Sequence, residues 1–146
     1  MNRVIRKETT PELINRIANS PAVRSFVDYS GTTDPLDLSP AVGKATQTGI
    51  VWLSNGEDAV VAFVQTADRE YQGHLFFDKT CRGRKALDTA QEMLDWLAPY
   101  ADRVWGGVPA RNAHALWFAS ALGFERAGEE EFESEGRVML VQKVMH

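Results

Sequence analysis

The segment VPARNAHALWFASALGF, residues 108–124, is the most informative part of this sequence. It begins in extended character and then carries Phe118 and Leu122 at helical spacing, so we predict a helix from about Asn112 to Leu122. Gly123 is placed to end that helix, because glycine tolerates the left-handed conformation of a helix C-terminus. Considered alone, these apolar side chains predict a helix that packs on a core.

The flanking segments predict one long helix and three strands. Upstream, apolar and charged residues fall on opposite helical faces, which predicts an amphipathic helix that Pro99 ends. A strand is predicted over residues 103–108. Downstream, residues 124–132 and 137–144 predict two strands joined by a turn. The apolar stripe of the long helix consists of Leu87, Ala90, Leu94 and Leu97.

The first half of the chain predicts a strand near Val4-Ile5, two short helices and three consecutive antiparallel strands. Thr9 and Glu12 have the spacing of a capping box, which places the start of the first helix there. Glycines and prolines in residues 29–44 predict a long loop. Three β-rich runs follow, the first two joined as a hairpin at an Asn-Gly turn, and they cover residues 49–53, 59–64 and 71–77.

The predicted order of elements is β-αα-βββ-α-β-α-ββ. This order mixes a hairpin-built sheet with crossover helices, so we expect an α/β (α+β) fold with a mixed, mostly antiparallel sheet flanked by helices. Residues 1–146 are expected to form a single domain, because this length suits one domain and no linker is evident.

Composition and charge exclude several classes of protein. The chain is 44% hydrophobic and 25% charged, which is typical of a globular domain. Its formal net charge of -4 gives no overall positive field, so a nucleic-acid surface would have to be local. The single Cys81 excludes an internal disulfide and a multi-cysteine zinc site. Neither a signal peptide nor an apolar run of ~20 residues is evident, so we expect a cytoplasmic protein without a membrane partner.

The junction before the long helix, residues 78–86, is basic and contains a glycine. A strand that leads into such a turn and then into a helix N-terminus is a physical arrangement for binding an anion, because free backbone N–H groups and the helix dipole point at the ligand. Arg82, Arg84 and Lys85 add positive charge. The alternative is a surface turn with solvated basic side chains, and the same cluster is the only support for a nucleic-acid-binding domain.

Together, these two segments resemble the GNAT superfamily of N-acetyltransferases. The family's cofactor turn, commonly Arg-Gly-x-Gly-x-Gly/Ala, aligns with residues 82–87. The family's later motif, Val-x-x-x-Asn-x-x-Ala followed by an apolar residue, Tyr and Gly-Phe, is the more specific match. It is matched by Val108, Asn112, Ala115, Phe118, Gly123 and Phe124.

The resemblance implies that acetyl-CoA or another acyl-CoA binds between two splayed strands, residues 73–78 and 103–108, with its pyrophosphate on the turn at 82–87. The implied reaction is transfer of the acyl group to an amine by direct attack. Phe77 and Asp78 would offer backbone groups to the pantetheine arm, and Asn112 would lie near the thiol end. The implied cofactor-binding residues are Phe77, Asp78, Arg82, Gly83, Arg84, Lys85, Ala86 and Asn112.

Three residues depart from the family pattern. Lys85 stands where the family usually has glycine, and Leu87 where it has glycine or alanine, so a side chain could occupy the pyrophosphate site. Ala119 stands where many members have a tyrosine that protonates the departing thiolate. These departures keep a second hypothesis open: a non-catalytic GNAT-fold structural or interaction protein, possibly phage-encoded. GNAT-like internal virion proteins of short-tailed phages have a Trp-rich strand similar to residues 104–106.

An enzyme of this kind needs a group that accepts a proton from the attacking amine. The candidates on the third central strand are Glu70, His74 and Asp78. His74 could act near neutral pH without a large pKa shift, whereas either carboxylate would need burial or a partner. His114 is a weaker candidate, and Cys81 lies in basic surroundings of the kind that lower a thiol pKa, but no adjacent base is evident. The acidic residues 129–131 could attract a cationic amine or form a solvated strand face.

Overall fold

The protein contains one seven-stranded sheet with the order β1-β2-β3-β4-β5-β7-β6. The computed structural model describes residues 4–27, 34–132 and 136–145. All neighbouring strands are antiparallel except β4 and β5, which are parallel. The predicted mixed, mostly antiparallel sheet is therefore confirmed. The strands are β1 (Arg6–Lys7), β2 (Ile50–Ser54), β3 (Ala59–Ala67), β4 (Glu70–Phe77), β5 (Arg103–Pro109), β6 (Glu125–Phe132) and β7 (Gly136–Val144).

In the part of the chain that the structure describes, six α-helices flank the sheet, two more than predicted. None within the described ranges 4–27, 34–132 and 136–145 is long and apolar enough to cross a membrane. A short 3-10 turn, Ala98–Tyr100, follows the longest helix. The helices are α1 (Pro11–Ala18), α2 (Pro21–Val27), α3 (Ser39–Gly43), α4 (Ala45–Thr48), α5 (Gly83–Leu97) and α6 (Ala113–Ala121).

Of the two additional helices, α3 lies inside the loop predicted to continue to residue 44, and α4 follows directly after it. Pro40 is the second residue of α3, a position where the missing N–H of proline costs nothing. The chain before α3 is held by Asn15, whose side chain accepts a hydrogen bond from the Leu38 N–H at 2.8 Å. The loop prediction was therefore wrong for α3, α4 was not predicted, and residues 29–33 of the predicted loop lie outside the described ranges.

The first strand and first helix differ in detail from the predictions. The strand covers Arg6–Lys7 instead of Val4-Ile5. The residue preceding α1 is Thr10, and its hydroxyl donates to Glu8 at 3.3 Å instead of capping the helix. The N-cap is therefore Thr10 instead of the predicted Thr9, and the predicted capping box is not formed.

The core consists of two hydrophobic clusters, one on each face of the sheet. The larger cluster packs α5 against β2, β3 and β4 through residues such as Leu53, Phe63 and Met93. The smaller cluster packs α1 and α2 against the other face around Trp52. Because strand side chains alternate between faces, odd-numbered residues of β4 face α5 and even-numbered residues face α1 and α2.

The parallel strands β4 and β5 part after a short pairing. Only three residue pairs join them, and the last is Gln72 with Trp105. Gly73 and Gly106 follow, and a Cβ on Gly106 would lie 3.4 Å from the Gly73 carbonyl oxygen. Beyond these two glycines the strands diverge, which matches the expected splay and leaves a gap in the middle of the sheet.

Candidate functional site

A cavity of about 250 Å³ opens where β4 and β5 part. We call it the strand cavity. Residues from both faces of the sheet line it, because the gap passes between the strands. Most lining side chains are apolar, and they come from β4, β5, α5 and α6. They include His74, Leu75, Phe76, Met93, Gly106, Val108, Asn112, Phe118, Ala119 and Phe124.

Two peptide units of β4 face this cavity. Asp58 and Asp78 form a hydrogen-bonded pair across β3 and β4, with the Asp78 N–H donating to the Asp58 carbonyl at 2.9 Å. In an antiparallel ladder, bonded and non-bonded pairs alternate, so the peptide groups of Leu75 and Phe77 point away from β3 toward the gap. The alternation that places Phe77 at the gap also includes Leu75, which the sequence analysis did not name.

Asp78 does not present its backbone to the cavity. Its N–H is bonded to Asp58, and its carbonyl accepts from the Cys81 N–H at 2.9 Å. Its carboxylate accepts from the Lys79 N–H at 2.7 Å and shapes the turn. The structure therefore gives Asp78 a role in the turn that leads into α5.

The N-terminus of α5 lies at the open end of the gap. Arg82 precedes the helix, and its side chain forms no capping hydrogen bond to the first-turn N–H groups. Gly83 has φ +58°, a left-handed conformation that favours glycine. The Arg82 side chain donates to the Phe77 carbonyl at 3.2 Å and so joins the turn to the end of β4.

A second cavity of about 310 Å³ adjoins this helix N-terminus, and we call it the outer cavity. It shares Leu75, Asn112, Ala115 and Phe118 with the strand cavity. The two cavities therefore adjoin each other at these residues, and together we call them the cleft. The outer cavity is also lined by Ala22, Val23, Phe77, Arg82, Gly83, Ala86, His114 and Trp117.

Lys85 points away from both cavities toward the turn between β2 and β3. Its ammonium group lies 2.6 Å from the carboxylate of Asp58, which also accepts from Thr80 and Asn55. Burial opposes ionisation of Asp58, but hydrogen bonds from Lys85, Asn55 and Thr80, with the charge of Lys85, leave its pKa below the ordinary value. The hydrogen bond to Asp58 raises the pKa of Lys85.

Two other residues of the turn, Arg84 and Leu87, also contact other parts of the protein and do not line the cavities. Arg84 forms an exposed ion pair with Asp88 at 3.7 Å, one helical turn away. Leu87 packs against the larger core cluster and does not belong to the lining of either cavity. The side chain that could have occupied the pyrophosphate position is thus directed into the core.

Cys81 is fully buried. Burial raises the pKa of its thiol, and the nearby negative charge of Asp58 raises it further. The basic neighbours named in the sequence analysis do not outweigh these effects. The expectation of surroundings that lower the thiol pKa was therefore wrong, and the buried thiol packs as a small apolar side chain.

Asn112 lies at the junction of the two cavities. Its side-chain oxygen accepts a hydrogen bond from the Ala115 N–H at 3.1 Å and caps α6. This bond fixes the orientation of the amide and leaves the NH₂ group available as a donor to a ligand. Asparagine in this position thus both starts the helix and presents a donor to the cleft.

His74 is the one titratable residue in the lining of the strand cavity, among the described residues. Its side chain is exposed to the cavity, and the protein walls around it still remove enough water to lower its pKa below 6.5. A neutral imidazole at pH 7 can accept a proton. His74 projects toward α1 and α2, opposite the face covered by α5.

Glu70 does not line either cavity. It stands at the closed end of the β4–β5 pairing, where its carboxylate is ion-paired with Arg103. Arg103 also donates to Gln142 at 2.7 Å and ties this end of β5 to β7. Of the three candidate bases, the structure places only His74 at the cavity.

Ala119 lines the strand cavity, with a methyl group where the family motif has tyrosine. Within the described ranges, no tyrosine contributes to either lining. His114 and Trp117 stack on each other at the outer cavity, with ring centroids 5.8 Å apart. The sequence analysis treated Trp117 only as part of a predicted core-facing helix.

Solved structures with this architecture are numerous. A GNAT-family acetyltransferase from Streptococcus pneumoniae has a TM-score of 0.73 at 17% identity, covering 98% of this chain and 99% of that chain. Spermidine N-acetyltransferase from Vibrio cholerae, in complex with CoA and spermine, has a TM-score of 0.78 at 13% identity, covering 97% and 95%. An aminoglycoside acetyltransferase in complex with coenzyme A has a TM-score of 0.76 at 14% identity, covering 97% and 94%.

Neither a family model nor a curated protein matches the sequence. The similarity therefore lies in the three-dimensional arrangement, and it extends over nearly the whole chain in each comparison. The order of elements, the parted parallel strands and the helix that begins at their open end all agree with it. This chain has the fold of the GNAT superfamily of acetyltransferases.

Proposed function

We propose that this protein is an N-acyltransferase that binds acetyl-CoA or another acyl-CoA and transfers the acyl group to an amine. The observation that carries the proposal is the cleft between β4 and β5, which continues to the uncapped N-terminus of α5. Such a cleft offers an apolar channel for a thin chain and N–H donors for an anion at one end.

The described residues fit the shape and chemistry of an acyl-CoA. The peptide group of Leu75 and the N–H of Phe77 face the gap and can pair with the amides of a pantetheine arm. The first-turn N–H groups of α5, with Arg82 and Gly83, can receive a diphosphate. Bound there, the acyl-CoA supplies an activated thioester carbonyl. The Asn112 NH₂ group is a further donor toward the thiol end.

His74 is proposed as the general base. Its imidazole is neutral at pH 7 because desolvation lowers its pKa, so it can take the proton that an amine loses during attack. It projects to the face of α1 and α2, which leaves that side of the gap for the acceptor. Glu70 is held by Arg103 and Asp78 is held by the turn, so neither carboxylate competes for this role.

The acceptor is proposed to be an amine. Spermine and CoA are bound to the Vibrio cholerae enzyme, and an aminoglycoside is the substrate class named for another structural neighbour. Attack by an amine requires its neutral form, which a neutral base beside the thioester can generate. We propose a cytoplasmic location, which suits a chain whose single cysteine, Cys81, is buried and has no internal disulfide partner. We also propose that residues 1–146 act as a single domain.

Two measurements test the proposed activity. Isothermal titration with acetyl-CoA should give saturable binding that Arg82→Glu weakens, because the substitution reverses a charge beside the diphosphate position. Release of free CoA thiol should then be measured with a panel of primary amines and polyamines. Absence of binding at millimolar acetyl-CoA would refute the proposal.

A second candidate function is a non-catalytic GNAT-fold structural or interaction protein. Ala119 favours it, because this residue lines the strand cavity without a hydroxyl that could protonate a departing thiolate. Saturable acetyl-CoA binding without thiol release on any amine would support this second function. Turnover that depends on Arg82 would exclude it.

A further inference from the structure

Helix α6 is apolar on all sides, yet none of its residues is buried. A helix of this kind is normally enclosed by protein on every side. Trp117 is 56% exposed, the same fraction as Tyr100 at the opposite end of α5. An exposed apolar helix surface beside a cleft indicates a ligand that covers it when bound.

The exposed indole of Trp117 is held in a defined orientation. It stacks on the imidazole of His114 with an interplanar angle of 23° and 5.8 Å between ring centroids. Both rings line the outer cavity, together with Arg82 and Gly83. A stacked pair of flat rings therefore stands across the same cavity as the helix N-terminus.

The charge of this cavity favours an anion with an aromatic portion. Among the described residues, the lining of the outer cavity contains Arg82 and no acidic residue. One guanidinium nitrogen of Arg82 donates to the carbonyls of Phe77 and Cys81. A planar base stacked on Trp117 and phosphates near Arg82 would satisfy the apolar and the charged parts of the wall together.

We propose that Trp117, positioned by His114, is the stacking site for the adenine base of the acyl donor. The inference rests on the proposed function, because that function places the diphosphate at the N-terminus of α5 and so puts the nucleotide end of the donor in the outer cavity. Trp117 is thus a specificity residue: it distinguishes a donor that carries a nucleotide from one that carries only the pantetheine arm.

The test compares two donors, the wild-type protein and three variants. The donors are acetyl-CoA and acetyl-4′-phosphopantetheine, which keeps the thioester arm and lacks the nucleotide. Two of the variants are Trp117→Ala and Tyr100→Ala, the second being a control because Tyr100 is equally exposed and also stacks on a neighbour, Trp96. Dissociation constants are measured by isothermal titration, and Trp117→Phe serves as the conservative variant.

We expect Trp117→Ala to weaken acetyl-CoA about 10-fold, within the range that base–aromatic stacking contributes. Binding of acetyl-4′-phosphopantetheine should not change, Trp117→Phe should restore most of the affinity, and Tyr100→Ala should have no effect. Equal effects of Trp117→Ala on both donors, or an effect on neither, would overturn the inference while leaving the proposed function intact. If wild type binds neither donor, the proposed function fails as well.

Discussion

His74 differs from the other candidate bases in where its side chain points and in what it touches. It opens onto the cavity between β4 and β5, whereas Glu70 is neutralised by Arg103 at the closed end of the same strand. Desolvation by the cavity walls lowers the pKa of His74 and so keeps the imidazole neutral at pH 7. A base prepared in this way needs no carboxylate partner to function near neutral pH.

Replacing His74 with glutamine should remove the proton acceptor and keep the shape of the cavity wall. We expect kcat for amine acetylation to fall roughly 10²–10⁴-fold, the usual contribution of a general base, while acetyl-CoA affinity is retained. Because the pKa of His74 is lowered, activity of the wild type should decline only below pH 6.5 as the imidazole becomes protonated. The pH dependence of kcat/KM measures this decline in activity at low pH.

Glu70→Gln is the matched control on the same strand. It removes a carboxylate that lies outside both cavities, so the activity should persist and should still decline at low pH. If Glu70→Gln abolishes turnover and His74→Gln does not, the assignment of the base is wrong.

Leu87 occupies a motif position that normally holds a small residue, so its side chain could obstruct the diphosphate. Its side chain is half-buried and packs on the larger core cluster. We expect Leu87→Ala to lower the free energy of unfolding by about 1–2 kcal/mol, less than for a fully buried leucine, and to leave the acetyl-CoA dissociation constant unchanged. Urea unfolding and isothermal titration measure the two effects. Tighter acetyl-CoA binding in Leu87→Ala would mean that the leucine obstructs the diphosphate.

At the scale of elements, the first turn of α5 is attached to the β2–β3 turn through Lys85 and Asp58. The Asp58 side chain is 3% exposed, and Lys85, Asn55 and Thr80 all donate to it. The position at which the GNAT motif has glycine thus carries a lysine in this chain, and this lysine anchors the helix start. This anchoring fixes the N–H groups that the proposed diphosphate requires.

We expect Lys85→Met to lower the free energy of unfolding by about 1–2 kcal/mol at pH 7, because it leaves a buried carboxylate without its cation. The pKa of Asp58 is lower when folded, so the stabilisation is present above its ordinary value of 3.8 and is lost as pH falls through the folded pKa. Urea unfolding at neutral pH and near pH 3 should therefore show a difference that shrinks in acid.

The control for this experiment is Arg84→Met, which removes a highly exposed ion pair with Asp88 from the same helical turn. Its effect on unfolding should stay within about 0.5 kcal/mol. If Lys85→Met leaves stability unchanged and weakens acetyl-CoA binding, Lys85 contacts the donor instead of Asp58.

The elements with strong periodicity could be predicted from the sequence. The hairpin of β2 and β3, the amphipathic helix α5 and the two C-terminal strands all carry local patterns that tertiary contacts reinforce. Helix α3 could not, because the chain before it is held by a long-range hydrogen bond from the Leu38 N–H to Asn15. A proline that starts a helix and one that interrupts a helix have the same local sequence signal.

The candidate site was predictable only in part, for a related reason. The motif indicated Asn112 and the turn at Arg82, because those positions depend on local cap and turn chemistry. The sequence did not indicate that Asp58 holds Lys85, since the two residues are far apart along the chain. It also did not separate His74 from Glu70, because only the length of the β4–β5 pairing determines which residue reaches the gap.

Across the whole molecule, the sheet consists of two parts that meet at three residue pairs. Strands β1 to β4 form one part, strands β5, β7 and β6 form the other, and only β4 and β5 connect them in the sheet. A ligand in the gap would hydrogen-bond to the free edge of β4 and pack against β5. Binding should therefore add hydrogen bonds to β4 beyond the three residue pairs that it forms with β5.

This arrangement predicts an alternating pattern of amide protection along β4. In the free protein, the N–H groups of His74 and Phe76 are bonded to β3 and should exchange slowly, whereas those of Leu75 and Phe77 face the gap and should exchange quickly. Acetyl-CoA at 100 times its dissociation constant should slow exchange at Leu75 and Phe77 about 100-fold if exchange requires the donor to leave. Residue-resolved hydrogen exchange by NMR measures all four amides in one experiment, with His74 and Phe76 as internal controls. Equal protection of all four amides in the free protein would show that the strands close on each other, and unchanged exchange at saturating acetyl-CoA would show that the donor does not pair with β4.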